Sequence, residues 1–188
     1  MSSRPEDEPI CDRLSRSWWA FALLALAAGA VTTLVAEGFP IVELEFAGSA
    51  ERAAAVVGDS SIDVIQSAIF WDFLFLALYT PALFCAVVWA RRGFTAKGAR
   101  RIGIGVAFGA FFAGLFDAIE NLAMLAYLGT FGDLDVGVSA DQWMQIARFM
   151  AGAKFLLVAL ALIYFLGGVV LLAAHKFRSG RREAGQSP

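Results

Sequence analysis

Four long apolar runs dictate what this chain can become. Each is about 19 residues or longer, enough for a helix rising about 1.5 Å per residue to cross roughly 30 Å of hydrocarbon. They fall at Trp18–Ala36, Val64–Trp89, Ile102–Leu128 and Ile146–Ala174. Lipid offers the backbone no hydrogen-bond partner, so a span must be a helix or part of a closed barrel. The alternating pattern of a barrel strand is absent. Composition agrees: 59% of the 188 residues are hydrophobic and 17% charged, with mean hydropathy +0.68, whereas soluble domains are about half apolar and a quarter charged. The expected fold class is all-α, a polytopic antiparallel four-helix transmembrane bundle. One domain is expected over 18–175, with polar tails at 1–17 and 176–188. Arg13 and Arg16 precede the first run as they would a secretory signal. That run exceeds the roughly 7–15 apolar residues of a cleaved signal and reads as an uncleaved span.

Charge sorting orients the bundle. Twelve of the 15 basic residues flank the first run, fill the connection between the second and third, or follow the fourth. Arg91, Arg92, Lys97, Arg100 and Arg101 crowd that connection alone. The positive-inside rule then predicts cytoplasmic termini. The other side is acidic, with Glu37, Glu43, Glu45, Glu51, Asp59 and Asp63 in the first connection and Asp133, Asp135 and Asp141 in the third. Trp18, Trp19 and Trp89 mark one interface, and Tyr127 and Trp143 the other. The basic connection serves topology and anionic-lipid contact, not nucleic acid.

Several chemistries are disfavoured. Cys11 and Cys85 lie at different depths, so no disulfide is expected. His175 is the one histidine and sits beside Lys176 at a helix C-terminus, which leaves no histidine-based metal site. Asp133 and Asp135 mimic a calcium loop, but no glutamate follows at its twelfth position. The glycines of RIGIGVAFG open a membrane span and do not follow a strand, so they read as helix packing and not as a nucleotide loop. No cofactor is implied. In the first connection, Pro40 stops the first helix, and Ser49 is a candidate N-cap for a short outer helix over Ala50–Val57 that Gly58 ends.

Against this background four charges stand out inside the spans: Asp72, Asp117, Glu120 and Lys154. A charge at the bilayer centre costs at least about 2.5 kcal/mol on insertion scales, so such residues face a protein interior. Counted from the span ends, all four fall at similar depth in the outer half. Asp117, Glu120 and Asn121 share a helical face by their i, i+3, i+4 spacing. That face is expected to continue through Gly105, Gly109 and Ala113, a small-residue series that admits a close neighbour. In the second span Asp72, Phe75, Leu76 and Tyr79 form one stripe. The expected ligand or ion pocket is therefore Asp72, Tyr79, Asp117, Glu120, Asn121 and Lys154. Three carboxyls around one ammonium would leave a net charge of −2 if all were ionised, so a bound proton or cation is implied.

The DxxEN run (Asp117, Glu120, Asn121), the Asp72–Phe75–Tyr79 run, Lys154 early in the fourth span and the segment Leu44–Ala53 resemble a group of small bacterial four-helix membrane proteins. That resemblance covers most of residues 18–175. It implies a multi-pass protein of the bacterial cytoplasmic (inner) membrane and names no activity. By architecture alone the chain is also similar to the sterol-isomerase-like four-helix fold, whose histidines it lacks. Three classes of function stay open. One is a protein binding a proton, cation or small ligand, as a homo-oligomer if it transports. Another is an enzyme with Glu120 or Asp117 as acid/base, helped by Lys154 or Tyr79, although no nucleophile–base pair supports it. The last is an accessory subunit whose charges only fix helix packing.

Overall fold

The computed structural model describes residues 18–129 and 138–184. The expected tail over 1–17 with Cys11, the acids Asp133 and Asp135, and residues 185–188 lie outside the described residues. The described chain is all helical. Helix α1 spans Trp18–Val35, α2 Ile41–Glu45, α3 Ala50–Val57, α4 Ile62–Ala90, α5 Lys97–Tyr127 and α6 Ala140–Ala184, with a 3₁₀ turn over Arg91–Gly93. Four of these (α1, α4, α5 and α6) are long and apolar enough to cross a membrane.

The helices outrun the apolar windows. α5 begins at Lys97 instead of Ile102, α4 begins at Ile62, and α6 begins at Ala140 and continues past Ala174. Apolar content marks where lipid begins, whereas Lys, Arg, Gln and Ala extend a helix into water at little cost. Lys97, Arg100 and Arg101 therefore belong to the first turns of α5, and Asp141 opens α6.

The first connection carries two short helices where one was expected. α1 ends as Glu37 and Gly38 take positive φ values of 50° and 81°, a conformation a helix cannot continue. Pro40 then caps α2, which was not anticipated. α3 has the expected limits, and Ser49 Oγ accepts the Arg52 N–H at 3.3 Å. Asp141 Oδ1 accepts the Ala50 N–H at 2.7 Å, and Tyr127 Oη donates to the Ala50 carbonyl at 3.1 Å. These bonds hold α3, with α2 packed beside it, as a cap over one end of the bundle.

Helices α4, α5 and α6 pack on one another, while α1 lies along α4 and scarcely touches α5 or α6. Its one described ring contact with α6 is at the far end, where Trp18 meets Phe165 edge to face at 5.1 Å. Two buried cores bracket the charges. Under the cap, Leu44, Ile65, Ile69, Met124, Leu125 and Met144 pack together. Toward the basic end, Val87, Ala107, Ala110 and Ala161 do so.

The small-residue face of α5 is only partly the expected one. Ala113 is fully buried and Gly109 half-buried, but the buried stripe runs through Gly103, Ala107, Ala110, Gly114 and Asp117, while nothing lies within 4 Å of a Cβ placed on Gly105. Each i to i+4 step overshoots a turn by about 40°, so three such steps carry Gly105 roughly 120° from Asp117. Alternating three- and four-residue steps keep to one face.

Candidate functional site

Lys154 organises the charged layer. Its Nζ donates to Asp117 Oδ1 at 2.8 Å and to Glu120 Oε1 at 3.0 Å. Glu120 Oε2 also lies in ion-pair range at 2.9 Å, off the hydrogen-bond direction. Glu120 is fully buried, and Asp117 and Asn121 nearly so. One helical turn of α5 supplies these three residues, and Lys154 meets them because α5 and α6 are antiparallel neighbours. Half-buried Asp72 of α4 joins through its Oδ2, which accepts from Asn121 Nδ2 at 2.7 Å. Five of the six expected site residues thus form two adjacent hydrogen-bonded groups, Lys154 with Asp117 and Glu120, and Asn121 with Asp72.

Tyr79, the sixth, sits beside these two groups. Its ring packs on Phe75 with centroids 5.0 Å apart, and its buried hydroxyl lies beside Asp117 without a well-directed hydrogen bond.

A seventh residue belongs to the site and escaped the sequence reading. Glu45, the last residue of α2, counts by sequence as one of six acids in a polar connection. The cap folds it inward to 7% exposure, with Oε2 3.6 Å from Lys154 Nζ. Its neighbours Leu44, fully buried, and Phe46, stacked on Phe155 at 5.8 Å, do not single it out in sequence, because Glu43 is flanked as apolarly by Val42 and Leu44. Burial pushes the Glu45 carboxyl above its ordinary 4.5, and Asp117 and Asp72 add to the rise while Lys154 opposes it. Glu45 and Glu120 converge on Lys154 Nζ, with Oε2 of Glu45 at 3.6 Å and Oε2 of Glu120 at 2.9 Å, and Oε2 of each is buried without a directed hydrogen-bond donor. Two carboxylates are acceptors only, so a hydrogen bond between them requires a proton on one.

The charges close one end of a cavity of about 720 Å³. Glu45, Asp72, Tyr79, Asp117 and Lys154 line its polar end, Thr32 and Thr33 are its other polar residues, and the rest is apolar. Ala22, Leu26 and Gly29 of α1, Leu83 of α4, and Val158 and Leu162 of α6 form the walls. Trp18, Trp89 and Phe165 contact one another at the far end, with Trp18 and Phe165 forming the floor. The slot exists because α1 leans on α4 alone, leaving a gap toward α6 between the cap and the aromatic floor. Over the eleven residues from Lys154 to Phe165 it runs about 16 Å, half the roughly 30 Å hydrocarbon thickness. Comparison of the chain with known protein families, curated proteins and solved structures finds no match.

Proposed function

We propose that this multi-pass membrane protein binds one small amphiphile in the slot between α1, α4 and α6. The polar end of the ligand meets Glu45, Asp72, Tyr79, Asp117 and Lys154, with Glu120 and Asn121 holding that set in place. The observation that carries this reading is the continuity of a buried charge cluster with an apolar cavity as long as one lipid leaflet. A cluster that served helix packing alone needs no cavity beside it. The pronounced charge sorting supports a capped end outside the cytoplasm, and the DxxEN run supports kinship with small bacterial four-helix membrane proteins.

The test is the lipid content of the purified protein. A Val158→Trp substitution fills the slot without touching a charge. Mass spectrometry of extracts is expected to find one amphiphile near one copy per protein in the wild type and a severalfold loss in the variant. Identical extracts would sink the reading. The second reading, a purely structural network, is favoured by the direct hydrogen bonds from Lys154 to Asp117 and Glu120. It requires that the Glu120→Gln/Lys154→Met double variant match the wild type in both stability and bound lipid.

A further inference from the structure

The slot presents more hydrogen-bond acceptors than free donors to its occupant. Two of the three Lys154 protons go to Asp117 and Glu120, and the amide of Asn121 goes to Asp72. Glu45 and Tyr79 line the slot; Glu45 Oε2 is buried with no hydrogen-bond donor, and the Tyr79 hydroxyl, buried beside Asp117, can accept as well as donate. Charge points the same way. Glu45 of α2, Asp72 of α4, and Asp117 and Glu120 of α5 face one cation, Lys154 of α6, a formal −3 if every acid were ionised. A carboxylate-headed ligand would raise that excess, and a neutral head would leave it. A hydrated metal ion would leave the apolar slot beneath it unfilled. An ammonium on a hydrocarbon chain satisfies both halves of the cavity.

We propose that the ligand is a cationic amphiphile, an aliphatic amine whose ammonium docks on Glu45 and displaces the proton shared by Glu45 and Glu120. This rests on the slot-binding reading above and adds the chemical class of the ligand. The exchange balances: one ammonium enters with its own protons, one proton leaves the carboxyl pair for water, and the charge of the layer is unchanged. Glu45 suits the task because it sits on the short α2 at the mouth of the charged layer, not within a span. Binding therefore competes with protons and strengthens as pH rises.

The experiment is a calorimetric titration of the full-length protein in nanodiscs with three probes of one chain length: dodecylamine, dodecanol and dodecanoate. The Val158→Trp variant measures partition into lipid, to be subtracted. Dodecylamine is expected to bind at least about tenfold more tightly than either other probe, as a charge-assisted hydrogen bond provides. Its affinity is expected to rise between about pH 5 and pH 8, with one proton released per amine bound. If dodecanol or dodecanoate binds as well as the amine, or if no proton is released, the cation inference is overturned while slot binding stands. If none of the three binds above the Val158→Trp background, the slot reading itself falls. Because the decisive comparison uses wild-type protein, it does not depend on any charge variant folding. Glu45→Gln, and independently Asp72→Asn, extend it: Glu45→Gln is expected to abolish proton release, and Asp72→Asn to retain it. Release that persists in Glu45→Gln would overturn the role given to Glu45.

Discussion

The two ends of the bundle hold their helices together by different means. Toward the basic end the helices meet through missing side chains: a Cβ on Gly93 would strike the Gly168 carbonyl, and one on Gly168 would strike that of Ala90. Ala107, Ala110 and Ala161 fill what remains, and Tyr164 Oη ties the end off by donating to the Ala99 carbonyl at 3.0 Å. Toward the cap, larger side chains (Leu44, Ile65, Ile69, Met124) stand above a layer of ions. One end gains dispersion from close backbones; the other gains electrostatic specificity and keeps room for a cavity. A bundle packed by glycine and alanine throughout would have no slot. The charged layer, which needs space around Asp72 and Tyr79, coincides with the place where α1 parts from α6.

Removing the cation should break the charged end hardest. Lys154→Met leaves buried carboxylates uncompensated and is expected to cost about 3–5 kcal/mol in detergent unfolding. Adding Glu120→Gln should restore part of that loss, and an unchanged Tm for Lys154→Met alone would mean the ions do not hold this end. At the basic end, Gly168→Ala forces a methyl against backbone and is expected to cost about 1–3 kcal/mol. The matched control, Gly105→Ala, meets nothing and should be neutral or gain up to about 1 kcal/mol from helix propensity. Equal effects at the two glycines would refute the close approach.

The smallest expected effect is a pH slope confined to the capped end. Glu45 binds its proton more tightly folded than unfolded, so its contribution is fully present below its ordinary 4.5. It is lost as pH rises from there through the raised folded value. Wild-type Tm should fall across that window, and Glu45→Gln should flatten the fall. A slope of the same size in the variant would assign it to another group.

How much of this was legible beforehand varies with the distance over which each feature is encoded. α3 and its Ser49 cap are local and were readable to the residue, because capping needs only four neighbours in sequence. The grouping of Asp117, Glu120 and Asn121 follows from helical spacing, and the meeting with Asp72 and Lys154 from antiparallel connectivity. Glu45 was not legible. In a connection rich in acids nothing local distinguishes the one acid that α2 turns inward. The expected Gly105–Gly109–Ala113 face held at Ala113 and failed at Gly105, because a string of four-residue steps drifts around a helix.

By itself the sequence determined four helices long and apolar enough to cross a membrane and the shared level of the charges along them, since hydropathy and the cost of burying charge act residue by residue. Only the tertiary structure decided that α1 would lean on α4 alone, that α2 would deliver Glu45 to Lys154, and that a slot would open beneath them. Those outcomes depend on which surfaces meet, and surfaces meeting across the bundle leave no mark at any single position in the chain.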